Sequence, residues 1–214
     1  MKVVSVNVGL PRKVEWKGKL IETGIFKEPV NGRRKVGRLN IEGDRQADLK
    51  VHGGPDKAVY GYPSEHYTAW MNVFPNMKLP WGMFGENLTT EGLNEKSLHI
   101  GDVVRAGTAL LRVTQPRMPC YKLGIKFGAK EAIAKFWELG LSGFYFSVAG
   151  EGNVGAGDAI EIVEQDPRGV SIAEFNRVYA KDEPDAAEVQ RLLAVPALPQ
   201  GWRCHFEELL AQRG

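Results

Sequence analysis

From residue 1 to about 165 the apolar positions fall in short runs, at 3–8, 37–41, 58–62, 103–106, 109–114, 143–149 and 159–163, each bounded by Gly, Pro, Asn or Asp. Runs of this length with frequent glycine predict a closed or strongly curved β architecture. Two helical patterns interrupt it. Ser64 is placed to cap a segment in which Tyr67, Trp70, Met71 and Phe74 recur at helical spacing, and Ile133, Phe136 and Trp137 form a second stripe that stops at Gly140. Both stripes read as core contacts. After Asp166-Pro167-Arg168-Gly169 the texture changes. Ser171 with Glu174 begins one amphipathic helix, Pro184-Asp185 with Glu188 begins another, and Trp202, Phe206, Leu209 and Leu210 mark a third. The expected fold class is mainly β with α: a β-barrel over 1–165, followed by a three-helix unit over 166–214.

Composition sharpens this picture only a little. The 214 residues are 43% hydrophobic and 25% charged, which is ordinary globular usage. No window approaches the roughly 18 apolar residues of a membrane span. The first residues lack the apolar core and cleavage site of a secretory signal, so the expected compartment is the cytoplasm. Cys120 and Cys204 lie in dissimilar segments, one rich in proline and one helical, and a disulfide framework is not expected. A net charge of +2 gives no global argument for nucleic acid or a membrane surface. The charge is uneven, however: residues 1–40 hold ten Lys or Arg against three acids. An anion pocket could be built from that excess.

Two motifs mislead. Gly150-Glu151-Gly152-Asn153-Val154-Gly155 has dinucleotide-fingerprint spacing, but a strand rather than a helix is expected to follow, so the glycines are read as a hairpin connection. His52, His66, His99, His205 and Cys120 are possible zinc ligands, yet no two of them have the spacing of a known zinc site. His99, Cys204 and His205 are assigned structural roles only.

The segment Thr114-Gln115-Pro116-Arg117-Met118-Pro119-Cys120-Tyr121-Lys122 is chemically the most unusual. Two prolines withhold ladder donors, so a strand must leave its sheet there and hold Cys120 in a stiff loop. Arg117 and Lys122 put positive charge on either side of the thiol and favour thiolate, the form that binds metals or attacks electrophiles. The alternative is a buried, inert cysteine. Two further loops have the look of a site. Gly43-Asp44-Arg45 leads on to His52-Gly53-Gly54-Pro55-Asp56-Lys57, whose paired glycines can aim backbone N–H groups at an anion beside His52 and Lys57. Phe84-Gly85-Glu86-Asn87-Leu88-Thr89 offers an amide and hydroxyls next to another glycine.

Taken together, His-Gly-Gly-Pro-Asp-Lys-Ala at 52–58, Tyr-Pro-Ser-Glu-His-Tyr at 62–67, Phe-Gly-Glu-Asn-Leu at 84–88, Ile-Gly-Asp at 100–102 and Gln-Pro-Arg-Met-Pro-Cys-Tyr-Lys-Leu at 115–123 resemble the MOSC domain. That family is named after the C-terminal domain of molybdenum-cofactor sulfurases. The likeness is to its bacterial hydroxylaminopurine-resistance members, which add a three-helix domain. The resemblance implies a β-barrel, a molybdenum cofactor of the molybdopterin type, and a cysteine ligand to the metal that falls on Cys120. It also implies reduction of N-hydroxylated bases such as hydroxylaminopurine.

A soft thiolate suits a metal already held by pterin dithiolene sulfurs. Arg33, Gly53, Gly54, Lys57, Thr89, Gln115, Arg117 and Lys122 are the candidate cofactor contacts, with Arg12 and Lys27 as further bases for the phosphate. Asn87, His52 and Arg117 are candidates to face the departing oxygen, with Cys120, Asn87 and His52 forming the expected catalytic set. The sequence shows no flavin, haem or nicotinamide motif, so electrons are expected from a separate reductase partner; a homodimer is a further expected association. The rival reading makes Cys120 a persulfide carrier or cofactor anchor, and a third view makes the terminal helices a docking platform for the electron donor.

Overall fold

The computed structural model describes residues 1–47 and 53–212. Twelve strands are found among them. They are β1 (Lys2–Val8), β2 (Arg12–Trp16), β3 (Lys19–Thr23), β4 (Glu28–Pro29), β5 (Arg34–Val36), β6 (Val59–Pro63), β7 (Leu88–Glu91), β8 (Val103–Ala106), β9 (Ala109–Pro116), β10 (Phe144–Gly150), β11 (Gly152–Val154) and β12 (Ile160–Glu164). Eight of these form one sheet in the order β12-β8-β9-β10-β6-β7-β1-β4, with β6 and β7 parallel. The sheet curls until β1 meets the start of β12. Ile160 donates its backbone N–H to Met1 at 2.9 Å, Val3 to Asp158 at 2.9 Å, and Gly157 to Val3 at 2.8 Å. A single bridge, Lys2 opposite Ala159, makes this junction instead of a ladder. The predicted barrel is therefore a strongly curved sheet joined at one point.

Several sequence expectations need correction. Residues 37–41 are not a strand: Gly37 donates to the Asn40 carbonyl across a turn, and only Ile41 returns to bridge Val36. The apolar content there is divided, with Ile41 buried and Leu39 exposed. The glycine cluster at 150–155 is more than a connection, because Gly152–Val154 forms β11 and pairs with β5. β2 and β3 form a separate hairpin, turning at Lys17 (φ 51°) and Gly18 (φ 73°). That is the positive-φ pair expected of a two-residue hairpin loop.

Helices α1 (His66–Val73), α2 (Tyr121–Phe127) and α3 (Glu131–Leu139) lie within the first 165 residues, and α4 (Ile172–Tyr179), α5 (Ala186–Leu193) and α6 (Gln200–Ala211) end the chain. Glu65, not Ser64, is the N-cap of α1; Ser64 accepts the Tyr67 N–H through its carbonyl. Tyr67 and Trp70 are buried as expected, whereas Met71 is exposed. On α3, Trp137 is likewise exposed and stacks on Tyr179 of α4 at 5.9 Å. Gly140 ends α3 in the left-handed conformation that its position in the pattern requires. The Ser171 side chain accepts from Glu174 N–H, and Asp185 with Glu188 forms a full capping box.

Two hydrocarbon clusters hold the molecule together. One runs from the sheet interior, with Val3, Val104, Leu111 and Phe146, into the terminal helices through Ile172, Phe175, Leu192 and Phe206. The other is aromatic, with Tyr62, Trp70, Phe84, Phe127 and Phe136. Tyr62 stacks on Phe84 at 4.2 Å. This second cluster supports the loop from Gly82 to Asn87 and the helix that follows Cys120.

Candidate functional site

β9 ends at Pro116, paired with Phe144 of β10. With Pro119 next to it, Cys120 is extended (φ −125°, ψ 168°) and serves as the N-cap of α2; its carbonyl accepts from Leu123 N–H at 2.9 Å. The expected stiff loop is thus three residues long and runs straight into a helix. Cys120 is half-buried and lines a cavity of about 70 Å³ that opens to solvent. Its side chain belongs to a lining that includes Lys27, Arg45, Lys57, Arg117 and Lys122, and among the described residues no acid shares that lining.

The cations are held in different ways. Arg117 is buried, donates to the Phe84 carbonyl and lays its guanidinium over the Tyr60 ring at 4.8 Å. Burial would lower its pKa, but Tyr60, Tyr145 and Cys120 beside it outweigh that and raise it. Gly85 (φ 76°) leaves room for Ile25, which a Cβ there would meet at 2.9 Å, whereas toward Arg117, at 3.6 Å, it would make only ordinary contact. Lys27 is buried against Asp44, and desolvation lowers its pKa despite that partner. Burial lowers the pKa of Lys57 as well.

Asp44 also accepts from Gly9 N–H at 3.0 Å and from the Asn87 amide at 2.9 Å. The other end of Asn87 accepts from Tyr60 N–H at 3.1 Å. Both ends of the Asn87 amide are therefore occupied within the fold. Next to it, fully buried Glu86 accepts from Gly82 N–H at 2.7 Å, Phe84 N–H at 3.0 Å, the Thr89 hydroxyl at 2.9 Å and the Tyr67 hydroxyl. Burial raises its pKa, and the hydrogen bonds from Tyr67, Gly82 and Thr89 oppose the rise.

Of the sequence-predicted residues, the structure brings Cys120, Lys27, Asn87, Lys57, Arg117 and Lys122 to this cavity. Thr89 is buried between Asn7 and Glu86 and does not line it. Arg33 is turned elsewhere, pairing with Asp158 at 2.7 Å and donating to the Asn153 carbonyl. Gly53, Gly54 and Gln115 line a second, neighbouring cleft. His52 lies outside the described residues. Sequence reasoning did not assign roles to Asp44, Tyr60 or Tyr145. Asp44 sat in a loop already singled out, so its signal was present; the tyrosines read only as strand residues.

No group of three or more His, Cys, Asp or Glu is placed to hold a metal ion among the described residues. No helix among them is long and apolar enough to cross a membrane.

Known proteins place this architecture. Residues 48–161 match the MOSC domain, and residues 170–213 match the YiiM-like, 3-alpha helix domain. The protein YflK of Bacillus subtilis (strain 168) is 45% identical over 95% of this chain and 92% of its own length. The crystal structure of YiiM from Geobacillus stearothermophilus is 36% identical, covers 98% of both chains and superposes with a TM-score of 0.83. A protein named "Reductase" from Gibberella moniliformis (strain M3125 / FGSC 7600) is 31% identical over 74% of this chain, which spans 28% of that protein. With its curved sheet, its cysteine at the exit of β9 and its three terminal helices, the chain belongs to the MOSC domain family, in the group that carries the YiiM-like helical domain.

Proposed function

We propose that the protein is a molybdenum-cofactor-dependent reductase of N-hydroxylated bases such as hydroxylaminopurine, working in the cytoplasm with electrons from a separate reductase. The observation that carries this reading is one half-buried thiol in a cavity whose described lining has five cations and no acid. The chemistry of that donor set, more than the hollow's own volume of about 70 Å³, fits the cofactor: a soft thiolate suits a metal that arrives with its own sulfur ligands, and the cations suit an anionic phosphate-bearing pterin. The family's name and the reductase-named relative point the same way.

When bound, the cofactor would supply two-electron redox chemistry. Cys120 would be the metal ligand, in a backbone fixed by Pro119 and α2. Lys57 and Lys122 would bind phosphate or pterin oxygens. Arg117 would keep the cavity positive from beneath, its own position set by Phe84 and Tyr60. The reaction breaks one N–O bond: with two electrons and two protons the hydroxylamine becomes an amine and water. Lys27, which lines the cavity and has a pKa lowered chiefly by burial, is the ammonium group we assign to release a proton toward the departing oxygen. Asn87 contributes by locking Asp44, and through it Lys27, in place.

The test uses protein produced in a host that makes the cofactor. Molybdenum should co-purify, hydroxylaminopurine should be reduced when electrons are supplied, and Cys120→Ala should abolish both. Stoichiometric sulfur on Cys120 in molybdenum-free protein, with no reduction of any N-hydroxylated base, would overturn the reading in favour of a sulfur carrier.

A further inference from the structure

Beside the Cys120 cavity lies a second cleft of about 400 Å³. Its floor is the turn from Gly53 to Lys57, one side is Gln115, and α6 covers it with Gly201, Trp202 and His205. Lys57 lines both hollows, so a ligand in the second cleft lies against the same side chain as one beside Cys120. The volume is within the range of small-molecule sites.

The aromatic cover is firmly fixed. The Trp202 indole donates its only polar hydrogen to Gln115, and Gln115 in turn donates to the Asp56 carbonyl at 3.4 Å. Behind it, Trp202 meets Phe175 at 5.0 Å and Tyr179 at 5.2 Å, edge to face in both cases. His205 is exposed and stands edge-on to Trp202 at 5.8 Å. Phe206 stacks on Trp202 at 6.1 Å, and the indole, its N–H already engaged, lines the cleft. An indole fixed in place and an imidazole, across a cleft from the turn that carries Gly53, Gly54 and Asp56, suit a flat ring. They offer little to a ligand without a ring.

We propose that this cleft seats the heteroaromatic ring of the N-hydroxylated base, so that Trp202 and His205 of the terminal helix select purine-sized substrates over small hydroxylamines. The inference rests on the reductase reading for its substrate class. It gives the helical domain a part in recognition, and it assigns roles to two residues that the sequence left structural.

Gly201 provides the test, because a Cβ there would meet no atom within 4 Å. Gly201→Ala leaves the cleft open, whereas Gly201→Trp fills it from the solvent side without disturbing the core. In cofactor-loaded protein, Gly201→Trp should raise KM for hydroxylaminopurine roughly tenfold or more, the scale of a lost base–aromatic stack, and leave N-methylhydroxylamine turnover unchanged. Gly201→Ala should match wild type for both compounds, and His205→Ala should give a smaller rise for the purine alone. Equal effects of Gly201→Trp on the two substrates would overturn the proposal. Calorimetric binding of hydroxylaminopurine provides a readout independent of turnover. Binding to wild type that Gly201→Trp weakens and Gly201→Ala does not supports the cleft even if no reduction occurs, a result that would sink only the reductase reading. Undetectable binding, or binding equal in all three proteins, sinks the cleft.

Discussion

The walls of the Cys120 cavity and the terminal helices treat charge in opposite ways. Around the cavity Glu86, Asp44, Lys27 and Arg117 are all buried, and each has hydrogen-bond or ion-pair partners inside the protein. On the helices, Glu188 takes Arg177 and Lys181, and Glu174 takes Arg191, across surfaces where the bases are about half exposed. Exposed pairs of that kind contribute little to stability, while a buried charge is costly unless every partner is present. Charge beside the cavity is thus retained against a cost, which is the pattern expected where electrostatics serve a ligand. Charge on the helices is solvated decoration over an apolar contact.

Substitutions can break this contrast. Glu86→Ala would strand four buried donors and should cost about 4 kcal/mol of unfolding free energy by urea titration. A loss below about 1 kcal/mol would mean that water replaces the carboxylate and that the loop from Gly82 to Asn87 is less rigid than its hydrogen bonds indicate. Asn87→Ala removes the link between Asp44 and the Tyr60 backbone, with an expected cost of about 2 kcal/mol. Asp185→Ala deletes the capping box of α5 and should cost about 1 kcal/mol. Glu188 should show the smallest effect at neutral pH, yet a definite pH signature. Hydrogen bonds from Lys181 and then Arg177 lower its pKa to about 2. An unfolded glutamate titrates near roughly 4.3, so the folded state favours the carboxylate. Its contribution is present at neutral pH and is lost as pH falls from about 5 toward 2. Melting temperatures followed over that window should fall less steeply in Glu188→Gln than in wild type.

The sequence made the apolar strands and the capped terminal helices legible, because each satisfies a local rule. β7 was not legible: Thr89 and Thr90 are buried polar residues, and hydroxyl-rich runs after Gly85 read as loop. α2 was hidden by its seven-residue length, its internal Gly124 and the proline just before it. Within the site, Cys120, Arg117 and Lys122 stood out because proline and charge crowd one thiol. The Lys27–Asp44 pair could not be read from spacing, since its members are 17 residues apart on separate loops. Asn87 shows a different limit. Its position was identified, but only the fold shows that its amide is engaged on both sides.

One hydrocarbon cluster joins the sheet interior to all three terminal helices. Heating should therefore take the molecule apart in a single endotherm, and a chain cut near residue 169 would expose the faces that Phe175 and Phe206 now cover. Shortening the protein would yield an aggregation-prone fragment instead of a lighter working version, so the helical part is an obligate share of the whole and not a detachable accessory.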